Sequence, residues 1–210
     1  MDINRRLDVG LTDNISPLFQ ELEEMPDYVS DLAVLEEDKE SDTVKIKIYE
    51  PTAPQIKFKE LEQSGNHLIT LLVVGRQVGK SYYALCDSME RALSKGGQRI
   101  LFVTPTYHLA AKHIFTIEQM FNNNEDHKKM IFKAIKYKAQ ELVFHNGSMI
   151  KFLSAEAEDA LRGDTADWIY VDECAFIKES TFNEILMPMV TRTGGRFTLF
   201  TTLMDRDWET

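Results

Sequence analysis

The 210-residue chain has two cysteines, Cys86 and Cys174, too few for a disulfide framework or a four-ligand zinc site. Six prolines and ten glycines exclude collagen-like and Pro/Gly-rich disordered classes. No apolar run approaches the ~20 residues that a membrane span requires. Nor does an apolar segment follow Met1, Asp2, Asn4, Arg5 and Arg6, as it would in a secretory signal. These absences read as a reduced, cytoplasmic chain without a membrane partner. Positive charge is also short. Against 34 Asp and Glu stand 24 Lys and Arg, a net of −10, which taken whole argues against nucleic acid. What is present is a 43% hydrophobic composition and length enough for one large α/β domain with a packed core.

The acid is unevenly placed. Residues 1–43 hold 13 acidic and 3 basic side chains, whereas residues 44–210 hold 21 of each. The chain therefore divides into an acidic N-terminal arm (1–43) and a neutral domain (44–210). Leu7, Leu11, Ile15, Leu18, Phe19 and Leu22 have the makings of a short amphipathic helix, with no sustained period after it. The arm reads either as a solvated segment or as a docking arm for a partner protein.

Beyond the arm, Val44–Tyr49 alternates apolar and polar residues, as a half-buried strand does. Pro51 and Pro54 interrupt it, and a helix is expected over Gln55–Glu62. The continuous run Leu68–Val74 predicts a strand buried on both faces. A helix from Gly79 to Leu93 follows, stopped by Gly96-Gly97. Arg99–Thr104 predicts a second buried strand, Leu109–Phe121 a helix, and Lys128–Ile135 another. Asn146-Gly147 between Glu141–His145 and Ser148–Leu153 is a strong hairpin signal. Trp168–Val171 reads as a strand, Glu179–Met189 as a helix and Arg196–Thr202 as a final strand. Strands alternating with helices predict an α/β fold: a mainly parallel sheet flanked by helices, with one antiparallel hairpin.

Between the first buried strand and its helix lies Gly75-Arg76-Gln77-Val78-Gly79-Lys80-Ser81. Glycines let backbone N–H groups wrap phosphate, the helix N-terminus adds positive potential, and Lys80 reaches the β/γ-phosphates. Ser81 would place its hydroxyl on Mg²⁺. Val74 stands where G-x-x-x-x-G-K-[ST] has its first glycine, and Gly75 comes one residue later. Farther on, the apolar strand Trp168–Val171 ends in Asp172-Glu173, which puts two carboxylates at the carboxyl edge of the sheet, where ligands bind in open α/β folds. Asp172 would hold Mg²⁺ and Glu173 would polarise the attacking water. A pair of acids that merely caps a turn is the plainer reading. Joined to Lys80 and Ser81, the pair reads as the site of a P-loop ATPase binding ATP with Mg²⁺.

Three further elements keep two readings each. Gln55 matches the donor and acceptor edge of adenine, or is a solvated helical glutamine. Arg76 and Arg162 could supply positive charge to a developing γ-phosphate, or form loop salt bridges. Thr201-Thr202 closes the last strand where hydroxyls can report the γ-phosphate, although threonine is also a favoured strand residue. The lysines at 128, 129, 133, 136 and 138 track phosphates or cover a solvated helical face. His108, His113 and His145 lack metal-ligand spacing with the cysteines, and Cys174 reads as a packing residue.

Together, Gly75–Ser81, Val103-Thr104-Pro105-Thr106-Tyr107, Leu161-Arg162-Gly163 and Asp167–Ala175 resemble the large terminase subunit of tailed bacteriophages, over residues 50–205. The loop arginine followed by glutamine is fairly specific to that family. The resemblance implies a P-loop NTPase of the ASCE, RecA-like type that powers packaging of double-stranded DNA into a procapsid in the host-cell cytoplasm. It implies a γ-phosphate role for Arg76, a finger to a neighbouring subunit for Arg162, an adenine-reading role for Gln55 and a coupling role for Thr201 and Thr202. Leu203 stands where the family has a proline after the coupling threonines. Partners implied are DNA, the portal protein and the small terminase subunit, with a homo-oligomeric ring on assembly and a monomer for an isolated ATPase part. The family's C-terminal nuclease domain has no counterpart in these 210 residues, so no nuclease activity is expected of them. Two other classes stay open: a superfamily 2 helicase-like translocase, which the Asp-Glu-Cys-Ala sequence echoes, and an ATP-binding assembly module with little turnover.

Overall fold

Five strands with apolar sequences lie side by side in parallel, and two more extend the sheet through antiparallel pairings. The computed structural model of the chain describes residues 34–38, 43–121, 125–161 and 163–202. Strands β1 (Val34–Asp38) and β2 (Thr43–Lys47) form a separate antiparallel hairpin. The strand expected at residues 44–49 thus begins at Thr43 and pairs back onto residues 34–38, where no alternation had signalled a strand.

The main sheet holds β3 (Ile69–Val74), β4 (Arg99–Thr104), β5 (Phe132–Lys136), β6 (Glu141–Phe144), β7 (Met149–Ser154), β8 (Trp168–Val171) and β9 (Arg196–Thr202). Their spatial order is β3-β9-β8-β4-β7-β6-β5, parallel from β3 through β7 and antiparallel for β6 and β5. Helices α1 (Ala53–Gln63), α2 (Lys80–Ser94), α3 (Tyr107–Gln119), α4 (Glu125–Ile131), α5 (Glu158–Leu161) and α6 (Met187–Thr191) connect them. The last described strand, β9, therefore inserts between β3 and β8, the two strands that lead to Lys80 and Asp172. The expected α/β architecture holds, and β6 and β7 join at Asn146-Gly147 as the hairpin signal required, with Gly147 at φ 83°.

Three local expectations fail for identifiable reasons. Strand β3 is not buried on both faces: it is a sheet edge, and Ile69, Leu71 and Val73 are 39%, 54% and 44% exposed. The helical residues Ile185, Leu186, Met189 and Val190 that cover this face of the sheet pack on Leu101, Val103, Ile169, Val171 and Phe197 instead, over β4, β8 and β9. The helix expected at residues 128–135 ends at Ile131, where Phe132 turns into the edge strand β5 against β6, with a bulge between Phe132 and Ala134. Pairing with β6 outweighs the weak helical period there. The helix expected at residues 179–189 contains a π-helical segment, Thr181–Leu186, in which the Met187 N–H reaches the Phe182 carbonyl five residues back. The extra residue per turn falls just before Pro188, which has no N–H and whose ring crowds the preceding turn.

The opposite face is built on aromatic rings. Tyr170 stacks on Phe102 at 5.7 Å and on Phe200 at 6.5 Å, and Phe102 stacks on Phe152 at 5.5 Å. Tyr83 of α2 meets Phe200 and Phe58 of α1 edge-on, at 6.3 and 5.5 Å. This row crosses four parallel strands and binds two helices to them. Its polar tips are satisfied by a buried network. Glu62 accepts hydrogen bonds from Tyr83 (3.0 Å), Arg91 (2.9 Å) and Thr198 (2.6 Å). Arg91 also donates to Asp87 (2.6 Å) and to Tyr170 (2.7 Å), and its guanidinium lies 3.5 Å above the Trp168 ring. One guanidinium, itself a quarter exposed, thus serves two buried carboxylates.

That imbalance has a titration consequence. Burial, aided by the Asp87 charge, pushes the Glu62 carboxyl from 4.5 up to about 7, against the pull of Thr198, Arg91 and Tyr83. A raised carboxyl favours the fold while protonated. Its contribution is therefore complete below pH 4.5 and is lost as pH rises toward 7, about 3 kcal/mol for a displacement of that size. Glu62→Gln, which cannot ionise, should flatten this segment of the profile, checked by urea midpoints between pH 4.5 and 7.5.

Candidate functional site

The parallel strands β3, β8 and β9 all end at one edge of the sheet, and their last residues meet the N-terminus of α2 there. The turn from β3 into α2 needs unusual backbone. Gln77 has φ 60° and Gly79 φ 78°, both in the left-handed region that non-glycine residues rarely enter. The dihedral angle demands glycine at Gly79, and a Cβ there would stand 2.7 Å from Gln55 Nε2 and displace that amide. Gln55 is 4% exposed and committed at both ends: Oε1 accepts from the Thr52 N–H (2.9 Å), and Nε2 donates to the Gly79 carbonyl (3.1 Å). It caps α1 and braces the loop that opens α2.

From that turn Lys80 points along the sheet edge. It is 8% exposed, its Nζ donating to Thr202 Oγ1 at 2.5 Å and lying 3.0 Å from Glu173 Oε1. Thr202 closes the triangle. Its hydroxyl donates to Glu173 Oε1 (2.7 Å) and its backbone N–H to Glu173 Oε2 (3.1 Å). Glu173 itself sits in left-handed backbone, φ 49° and ψ 51°, as β8 turns into a short 3-10 segment (Cys174–Phe176). A non-glycine residue held there costs on the order of 1–3 kcal/mol, a strain that concentrates at functional sites.

Asp172 is 3% exposed beside it. Its Oδ1 accepts from the Glu173 N–H (3.1 Å), its Oδ2 lies 3.2 Å from His113 Nε2, and the Ser81 hydroxyl is near enough to stabilise the same carboxylate. Burial works to raise this carboxyl, but His113, Ser81 and Lys80 together outweigh it and hold it below the ordinary aspartate value. Ser81 and Asp172 thus bring two hard oxygens to one point. Such donors suit Mg²⁺, which takes one or two protein oxygens and completes its shell with water and substrate phosphate. The described residues contain no cluster of three or more His, Cys, Asp or Glu that would hold an ion by protein alone.

Of the residues singled out in the sequence, Lys80, Ser81, Asp172, Glu173 and Thr202 converge. Gly75, Gln77, Val78 and Gly79 form the turn, with Gln55 behind it. Thr201 points to the other face of the sheet, as strand alternation requires, and its buried hydroxyl has no hydrogen-bond partner among the described residues. Arg76 is exposed on the loop; Arg162 lies outside the described residues. The lysine cluster divides: Lys128 pairs with Glu118 (2.5 Å) and Lys136 with Glu141 (3.0 Å), while Lys129, Lys133 and Lys138 are exposed. Cys174 packs against the core, and burial raises its thiol, as suits a packing residue. His113 is the site residue that sequence reading passed over; it is brought to Asp172 from 59 residues away, and no local spacing announces it. Gly79→Ala should lower stability by about 1–2 kcal/mol from its backbone conformation alone, with more from the Gln55 contact, measured as a fall in the urea midpoint.

Comparison with known proteins speaks to the family and the fold. The family model described as terminase large subunit, T4likevirus-type, N-terminal, matches residues 71–207. The terminase large subunit of Escherichia phage T5 is 26% identical over 162 residues, covering 75% of this chain and 35% of its own length. The chain thus spans about a third of that relative. Among solved structures, the large terminase ATPase domain of Thermus phage P74-26 matches with a TM-score of 0.61 at 21% identity, over 76% of this chain and 68% of that one. The large terminase of bacteriophage HK97 matches with a TM-score of 0.62 at 14% identity, over 74% of this chain and 34% of that one. At such identities the two structures speak to the fold, which is shared. With the family model covering more than half of its residues, the chain belongs to the terminase large subunit family, in its N-terminal, T4likevirus-type part.

Proposed function

We propose that residues 44–210 hydrolyse ATP with Mg²⁺ to drive double-stranded DNA into a procapsid, as the ATPase part of a viral packaging motor. The observation that carries this reading is the meeting of Lys80, Glu173 and Thr202 within 3.0 Å of one another, beside the Ser81–Asp172 pair. The backbone N–H groups at the start of α2 and the Lys80 ammonium receive the phosphates. A phosphate entering the loop competes with the Glu173 carboxylate for Lys80, and the exchange frees that carboxylate to polarise a water. Ser81 and Asp172 would hold Mg²⁺, which when bound neutralises charge developing on the phosphates. Thr202 grips both oxygens of Glu173, so the end of β9 follows wherever that side chain moves. This supplies a physical route from the reacting phosphate to the rest of the chain.

Arg76, exposed on the loop, is assigned to the γ-phosphate, and Arg162 to a neighbouring subunit in an assembled ring. Gln55 is assigned to adenine in addition to its bracing bonds. Residues 1–43 are assigned as a docking arm, and the portal protein and small terminase subunit as partners, in the host-cell cytoplasm. No helix among the described residues is long and apolar enough to cross a membrane. ATP hydrolysis, and not phosphodiester cleavage, is the chemistry assigned to these residues.

Lys80→Ala should abolish nucleotide turnover; a normal rate in that variant removes the phosphate-loop assignment. Glu173→Gln should bind ATP with wild-type affinity while turnover falls by about 10²–10⁴-fold, measured by equilibrium binding and phosphate release. Specific activity should rise with protein concentration if Arg162 acts across subunits. A high, constant activity in a chain shown to be monomeric by light scattering overturns that part.

A further inference from the structure

Asp172 has a neighbour that the phosphate-site reading does not employ. His113 is 5% exposed and projects from the middle of α3, with Nε2 3.2 Å from Asp172 Oδ2. The contact is prepared on both sides. Strand β4 lies next to β8, in register with Val103 opposite Val171, and the Asp172 N–H donates to the Val103 carbonyl at 2.9 Å. From the end of β4 the chain passes Pro105 and enters α3, whose first turn is capped by Thr106 Oγ1 accepting from the Leu109 N–H (3.4 Å). Thr104 Oγ1 ties that entry down by donating to the Thr106 carbonyl (2.8 Å). Two turns into the helix, the imidazole rests on the Phe102 ring, with centroids 4.9 Å apart and planes at 59°. Its face is thus packed, and its Nε2 edge is aimed at the carboxylate.

The consequence for Asp172 is geometric. With Oδ1 receiving the Glu173 N–H and Oδ2 receiving Nε2–H of His113, the carboxylate is gripped from opposite sides. Rotation about its Cβ–Cγ bond would break both bonds. A carboxylate so held cannot turn freely, and the Ser81 hydroxyl is close to it. A partner that orients a metal-binding carboxylate commonly matters to affinity by about 10–100-fold when removed, because the ligand must then be ordered at the moment of binding.

We infer that His113 is a positioning residue for the magnesium ligand Asp172, aligning its carboxylate through Nε2 so that Asp172 and Ser81 form one preorganised oxygen pair. This inference rests on the reading of Asp172 as the ligand, and the test separates the two. The probe is Mn²⁺ in place of Mg²⁺, titrated into the 210-residue chain with ADP and followed by electron paramagnetic resonance of free and bound ion. His113→Phe keeps the ring against Phe102 and removes the donor; His113→Leu is a second donor-free variant that packs differently. His113→Gln restores a donor at the reach of Nε2. Both donor-free variants should bind Mn²⁺ about tenfold more weakly, with ADP affinity in the absence of divalent ion unchanged. His113→Gln should recover most of the loss. Asp172→Asn should lose the tight Mn²⁺ site altogether. Wild-type Mn²⁺ affinity in a folded donor-free variant overturns the role of His113 while leaving the site reading intact. So does a loss in His113→Gln as large as in the donor-free variants. Wild-type Mn²⁺ affinity in Asp172→Asn overturns the reading beneath it.

Discussion

An ammonium group removed from water has to be met by oxygen, and at the carboxyl edge of this sheet Lys80 is met by Glu173 and Thr202. Lys80 follows β3, Glu173 follows β8 and Thr202 ends β9, so their meeting depends on the strand order. Because β9 inserts between β3 and β8, the end of the last strand stands beside both the loop that carries Lys80 and the turn that carries Glu173. Had β9 been added at the sheet's edge, Thr202 would lie beyond reach of one of them. The left-handed backbone of Glu173 belongs to the same arrangement: it turns the chain sharply enough to bring the carboxylate back over the strand end. Gly79 does the corresponding work across the cleft, with Gln55 braced against its carbonyl.

The edge can be held so firmly because the sheet beneath it is stiff. Stacked rings from Phe152 to Phe200 cross the parallel strands on the face that α1 and α2 cover, and Tyr83 and Phe58 extend the row into those helices. Close packing of this kind resists rotation of one strand against the next. Toward the opposite ends of the strands, the Glu62–Arg91–Asp87 network joins α1 and α2 to Tyr170 and Thr198, which stand on β8 and β9. The two helices are therefore fixed at both ends, one end by the loop brace and the other by buried charge. On the other face the helical cover reaches only as far as β9, and Leu71 and Val73 of the edge strand remain half open to solvent.

Much of this was legible locally. The glycine-lysine-serine turn after an apolar strand and the Asp-Glu pair ending another were legible there, because the proposed phosphate and metal chemistry each demands particular groups at short spacing. The Asn146-Gly147 hairpin followed from the backbone conformation that such a turn requires. Where reading failed, the deciding partner lay far off in the sequence. Strand β3 reads like a central strand, since its residues are those of one, yet its position at the edge is set by which strands pair. Phe132–Lys136 becomes a strand because β6 is available to it. Thr201 and Thr202 read as equivalents, and only the sheet separates them into one that faces Glu173 and one that does not.

The shortage of positive charge shows the same division. Composition alone located the acid in residues 1–43 and left a neutral domain, because counting needs no partner. The amino-acid sequence likewise determined the class of fold, the glycine-lysine-serine turn and the identity of the carboxylates, each a matter of neighbours along the chain. Tertiary structure decided which of those groups touch. It placed Lys80 on Glu173, Gln55 on Gly79 and His113 on Asp172, separations of 93, 24 and 59 residues. Contacts of that span are chosen by strand order and by the packing of helices on the sheet, and neither is written in any short stretch of the chain.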